Sequence, residues 1–266
     1  MMFALKDRYT VQDLVRIMEL LRGEDGCPWD REQTHESIRN NFIEETYEVV
    51  EAIDNQDPAL LREELGDVLL QVAFHAQMEK ERGGFDFDDV ADEICKKLIV
   101  RHPHIFADTV ADTSEQVLRN WDAIKRQTKQ QQTYAETLES VPRSLPALMR
   151  AEKVQHRAGR AGMEYPDTAG AFADLRSELA ELTDALQEQD RQAAADELGD
   201  VLFACVNVAR HLDADAEELL TRSCDRFQQR FAIAEQLARQ QGLDMPQASQ
   251  AELGRLWSEA KRRLQA

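Results

Sequence analysis

An internal repeat constrains this chain more than any other feature. Glu64-Leu65-Gly66-Asp67-Val68-Leu69 recurs as Glu197-Leu198-Gly199-Asp200-Val201-Leu202. Upstream, Glu45 and Glu48 correspond to Glu178 and Glu181 at the same offset. Ala52, Gln56 and Asp57 likewise correspond to Ala185, Gln189 and Asp190, with no gap in between. Downstream, Lys97 and Arg101 correspond to Arg226 and Arg230, and Trp121 and Lys125 to Trp257 and Lys261, the two residues of each pair standing four apart. Similarity that keeps one order along the chain marks a duplicated module. The polar run from Lys129 to Thr133, followed by Pro142 and Pro146, reads as the connection. The expected organisation is one module over 1–128, a linker over 129–146 and a second module over 147–266.

Both modules read as helical. Apolar residues recur at helical spacing almost throughout, and no alternating strand pattern stands out. Helices are expected near 10–22, 36–54, 58–82, 87–101, 114–131, 145–157, 168–188, 190–212, 214–241 and 249–264. The 42% of hydrophobic residues suffices for a buried core. A formal net charge of −19 repels duplex nucleic acid and anionic membranes, but a small phosphate compound can still bind through bridging cations. Cys27, Cys95, Cys205 and Cys224 form no C-x-x-C pair, so reduced thiols in the cytoplasm are expected. Neither a signal peptide nor a membrane-length apolar run is read in the sequence.

Each module carries Glu-x-x-Glu, a break, then Glu-x-x-Asp. Residues three apart share a helix face, and the break at Asp57-Pro58, or Asp190-Arg191, suggests an antiparallel hairpin that brings four carboxylates together. Such a cluster is unfavourable without a cation; hard oxygen ligands suit Mg2+, with Mn2+ as the alternative. Taken alone, an acidic pair is usually an ordinary solvated face. Here the residues around Glu64 and Glu197 are apolar nearly all round, which reads as buried helix, and a buried carboxylate needs a partner. The metal sets are then Glu178, Glu181, Glu197 and Asp200, with Glu45, Glu48, Glu64 and Asp67 as the second copy.

The cations extend the pattern. Arg226 and Arg230, and in the other copy Lys97 and Arg101, share a helix face from which they can neutralise phosphate oxygens; ordinary surface charge is the competing reading. Trp257 with Lys261, and Trp121 with Lys125, either sit beside a nucleotide or represent a Trp packed in the bundle with a solvated Lys. Gly66 and Gly199 lie inside helices, which a close approach by a neighbour or ligand would explain. Cys27-Pro28-Trp29-Asp30 is unrepeated and either plugs an apolar gap or covers a pocket. There is no Gly-Lys-Ser/Thr phosphate loop, no repeated Glu-x-x-His and no recurring Ser-His-Asp or Cys-His arrangement. A non-catalytic helical protein that binds a nucleotide or a partner remains as the competing class.

Together, Glu44-Glu45-Thr46-Tyr47-Glu48 and Glu64-Leu65-Gly66-Asp67 resemble the signature of the MazG nucleotide pyrophosphohydrolases. So do Gly26-Cys27-Pro28-Trp29-Asp30, Arg101-His102-Pro103-His104-Ile105-Phe106 and Pro142-Arg143-Ser144-Leu145-Pro146-Ala147-Leu148. The resemblance covers nearly the whole chain in the tandem form. It implies an all-α fold of two four-helix-bundle-like modules and magnesium-dependent hydrolysis of nucleoside triphosphates to monophosphate and pyrophosphate. A homodimer is also implied. So is catalysis in the C-terminal module, with Arg226, Arg230, Trp257 and Lys261 holding the nucleotide. A specialised or modified nucleotide is the alternative substrate. Ser177 stands where the family's first motif begins with a second Glu, and Arg226 where the family often has Lys.

Overall fold

The computed structural model describes the chain apart from residues 1–2, 108–112, 114–115, 118–119, 122, 125–127, 129–130 and 266. The expected helix over 114–131 lies partly outside the described residues, and Lys125 lies wholly outside them. Among the described residues there is no strand. The chain divides into two compact units, Met1–Lys125 and Arg126–Ala266.

The first unit contains α1 (Val11–Arg22), α2 (Pro28–Glu32), α3 (Arg39–Asp54), α4 (Pro58–Glu81), α5 (Phe87–Arg101) and α6 (Pro103–Phe106). Helix starts follow local chemistry. Thr10 and Asp13 form a reciprocal capping box on α1, and Asp86 and Asp89 form one on α5. Helix α4 is central and touches α1, α3 and α5. Met18, Ile38, Ala73, Phe74 and Met78 make the core, with Leu14, Leu21, Leu70 and Phe87 packed around it.

The second unit contains α7 (Tyr134–Glu139), α8 (Ala147–Arg160), α9 (Thr168–Gln187), α10 (Arg191–His211), α11 (Ala216–Gln240), a short 3-10 turn (Met245–Gln247) and α12 (Gln250–Gln265). Helix α10 plays the role of α4, touching α8, α9 and α11. A cluster of Ala234, Leu237, Ala238, Leu256 and Ala260 joins α11 to α12. The stretch read as a connection carries α7, which docks on α8: Arg157 donates to the Thr137 carbonyl and to the Ser140 hydroxyl, and Val141 is buried.

The hairpins α3–α4 and α9–α10 are built alike, for the same local reason. Gln56 and Gln189 each adopt a left-handed backbone, with φ of 54° and 59°. The next residue, Asp57 or Asp190, then caps the following helix by accepting two backbone N–H bonds at 2.9–3.1 Å. This turn reverses the chain after the Glu-x-x-Glu helix and sets the Glu-x-x-Asp helix against it.

Candidate functional site

In the second unit, α9 carries Glu178 and Glu181 and α10 carries Glu197 and Asp200. The hairpin brings carboxylate oxygens of Glu178, Glu197 and Asp200 within 4.8 Å of one another. Burial, then the negative charges of Glu181, Asp174, Asp200 and Glu197, push the Glu178 carboxyl above its ordinary value. Glu181 stands outside the tight group and accepts a 3.4 Å hydrogen bond from the Ser177 hydroxyl. The departure at position 177 therefore puts a hydroxyl donor beside the site in place of a further carboxylate.

In the first unit the corresponding hairpin brings together Glu45, Glu48 and Glu64, again within 4.8 Å, while Asp67 stands outside the tight group. Burial is the largest cause holding both Glu45 and Glu64 above the ordinary carboxylate range. The Asp67 charge comes next for Glu45 and the Glu48 charge for Glu64. Glu64 keeps only 9% of its surface. Among the described residues, no Lys or Arg makes an ion pair with any of these eight carboxylates. Two crowded all-oxygen groups without an internal counter-charge are a donor set that fits a hard divalent cation.

The cations do not close on the carboxylates through ion pairs. Arg226 donates to the Ser223 hydroxyl at 2.6 Å, and Lys97 and Lys261 are exposed. Arg101 and Arg230 share an unusual feature: the Nε atom of each is buried and has no hydrogen-bond partner. The Arg101 guanidinium lies 5.1 Å from the Trp121 ring centroid. Trp257 packs against the α11–α12 core and lies 5.0 Å from Phe227, so the packed-in-the-bundle reading describes its surroundings. Two residues near the second cluster escape the repeat. Asp174 sits one turn before Glu178, and its proximity, then burial, raises the Tyr165 hydroxyl above its ordinary value. The register partner of Asp174 is Asn41, so a search for matching acids passes over it. The side chain of Trp29 is 58% exposed on α2 and fills no gap in its unit.

One expectation needs correction. The apolar cover around Glu64 and Glu197 reads as helix buried all round, yet Leu65, Leu198, Leu202 and Phe203 are exposed in the single chain. Their face of α4 or α10 points away from the neighbouring helices. On α9, Phe172, Leu179 and Leu186 are also exposed, seven residues apart and therefore on one stripe. A Cβ added at Gly66 or Gly199 would meet nothing within 4 Å. Within one chain, no neighbour presses on these glycines.

Fold and site together define a class: tandem all-α proteins with one acidic, cation-suited cluster on each helical hairpin. The profile of the MazG nucleotide pyrophosphohydrolase domain matches residues 33–106 and again 170–250, and the chain belongs to that family. It is 42% identical to the nucleoside triphosphate pyrophosphohydrolase of Escherichia coli (strain K12) over 259 residues, covering 95% of this chain and 97% of that protein. A second relative, the nucleoside triphosphate pyrophosphohydrolase/pyrophosphatase MazG of Thermotoga maritima, is 40% identical over 250 residues, 94% of this chain and 95% of its own length. The nucleoside triphosphate pyrophosphohydrolase of Mycolicibacterium smegmatis is 37% identical over 202 residues, covering 71% of this chain and 61% of that protein. Among the described residues, no helix is long and apolar enough to cross a membrane.

Proposed function

We propose that this chain hydrolyses nucleoside triphosphates to the monophosphate and pyrophosphate, with the carboxylates of the second unit as its principal site. The observation that carries the reading is the convergence of Glu178, Glu197 and Asp200 within 4.8 Å, with Glu178 pushed toward protonation by burial and then by its acidic neighbours. Family membership supports the reaction class. Glu178, Glu181, Glu197 and Asp200 would hold magnesium, and Glu45, Glu48, Glu64 and Asp67 would form the second copy of the set. A divalent cation held there supplies positive charge toward the triphosphate and Lewis acidity toward the water nucleophile.

The chain's own groups do the rest. Arg226, Arg230 and Lys261 bind phosphate oxygens and offset charge on the departing pyrophosphate. Trp257, fixed by Phe227 and the α11–α12 core, gives the nucleotide a rigid wall. Lys97, Arg101 and Trp121 would serve the same ends in the first unit. The Ser177 hydroxyl orients Glu181.

A homodimer and a cytoplasmic setting complete the reading. The stripes on α9 and α10 expose large apolar side chains in the single chain, and a second copy would cover them. Four unpaired cysteines suit a reducing compartment.

The test is to resolve the products formed from a triphosphate panel with and without magnesium. Monophosphate and pyrophosphate, formed only with the metal, are expected. Diphosphate and orthophosphate would overturn the point of attack, and undiminished turnover in a chelator would overturn the metal.

A further inference from the structure

In the second unit a cavity of about 370 Å3 opens beside the carboxylates. Sites for small ligands run from roughly 300 to 1,000 Å3. Its walls include Gln155 on α8, Met163 and Tyr165 from the turn after α8, Asp174 on α9, and Phe203 and Asn207 on α10. Asp174 lies one helical turn from Glu178, and Asp174 and Tyr165 both line the cavity. A ligand anchored by its phosphates at the carboxylates therefore has the cavity next to its other end.

Beside Glu164, Tyr165, Asp174 and Arg210, the polar lining includes two amides, Gln155 and Asn207, each fixed by one bond. Gln155 is only 5% exposed; its Nε2 donates to the Phe203 carbonyl at 2.7 Å, and its Oε1 is buried with no partner. Asn207 is 8% exposed, and its Oδ1 accepts from Arg210 at 2.7 Å, which leaves its Nδ2 to donate. Arg210 is itself held by Glu164 through two bonds of 2.6–2.7 Å, so Asn207 cannot turn without disturbing that pair. A buried acceptor without a donor calls for an explanation. One acceptor and one donor between the apolar side chains of Met163 and Phe203 suit a flat heterocycle whose edge offers the complementary pair. With Glu164 and Asp174 in its walls, the cavity does not suit a phosphate.

We infer that this cavity is the nucleobase subsite of the second unit, and that Gln155 and Asn207 set its preference among bases. The inference rests on the reading of that unit as the hydrolytic site. In the first unit the register partner of Asn207 is Phe74, buried in the core, and that of Gln155 is Arg22, so this amide pair belongs to the second unit.

The experiment compares kcat/KM for ATP, GTP, CTP and UTP with that for ribose 5-triphosphate, which lacks a base. It uses the full chain and the variants Gln155→Leu and Asn207→Phe, the latter installing the first unit's residue. Thermal melting of each variant reports whether the fold is kept. The wild type is expected to favour its best nucleotide over ribose 5-triphosphate, and each variant to lose about tenfold of that advantage, the scale of one hydrogen bond to a base edge. An unchanged advantage in both folded variants would overturn the inference. So would an equal loss on nucleotide and ribose 5-triphosphate. A wild type that turns over both equally would overturn the subsite while leaving pyrophosphohydrolysis intact; a wild type that turns over neither would overturn the functional reading beneath it.

Discussion

The two hairpins share a turn, a cap and a set of acids, yet their surroundings are exchanged. Along α4 the residues following the carboxylates are Gln71, His75 and Glu79; at the same register the second unit has Ala204 and Val208 on α10 and Leu212 at its C-cap. One helix position away the polarity reverses, with Phe74 in the first unit and Asn207 in the second. The first unit uses this position to fill its core and holds a histidine pair on the adjoining face: His35 and His75 approach at 2.7 Å through their Nδ1 atoms, and Glu79 meets His35 Nε2 at 2.7 Å. The second unit leaves a cavity where the first has packed. Duplication has kept the groups that crowd negative charge and let the flanks diverge, one toward packing and one toward an open, amide-lined space.

The comparison can be broken first at its core. Phe74→Ala removes a side chain that is 5% exposed and lies under the Arg22 guanidinium, and it is expected to cost about 3–5 kcal/mol in urea unfolding. Asn207→Ala at the same register removes one hydrogen bond and should cost about 1 kcal/mol. Equal costs would mean that the two positions are not packed differently.

The histidine pair gives the first unit a pH dependence in the range where imidazole titrates. Burial, then the neighbouring His35, lowers His75 below its ordinary value of 6.5. The unfolded chain therefore takes up the proton first as pH falls. The contribution of His75 to stability is present in full above about pH 6.5 and is lost as pH drops through the lower folded value. Replacing it, as His75→Gln, should flatten the fall in melting temperature between pH 7 and pH 5. A wild-type slope that survives the substitution would remove His75 from the account.

The smallest effect concerns the paired glycines. Space around Gly66 and Gly199 is open within one chain, so alanine should add roughly 0.5–1 kcal/mol to helix stability if nothing else comes near. A second copy or a substrate lying over either position would reverse that gain. Gly66→Ala and Gly199→Ala, compared by melting and by dimer dissociation, report separately on each hairpin.

Much of this was legible in the sequence. The repeat located both hairpins, and apolar spacing placed the long helices to within a few residues, because patterns that hold over several turns leave little choice. Short elements escaped. Pro28–Glu32, Pro103–Phe106 and Tyr134–Glu139 are too brief for periodicity to register, and the last lies in a stretch whose prolines read as a connection. The acids of the candidate site were legible because they recur. Gln155, Asp174 and Asn207 were not, since their register partners differ and a buried amide has no sequence signature. The exposed face of α10 was misread for a physical reason: an apolar pattern does not say whether a surface packs within its own chain.

We propose that the two similar acid clusters have unequal roles, with turnover in the second unit. Pyrophosphate release with magnesium should be measured side by side for Glu197→Gln and Glu64→Gln, which make the same change at the same register. The account predicts that Glu197→Gln loses activity by about a hundredfold or more, the scale of losing a group that stabilises charge in the transition state. Glu64→Gln should retain most of it. A severe loss confined to Glu64→Gln would move the chemistry to the first unit, and full activity in both variants would contradict the carboxylate site altogether.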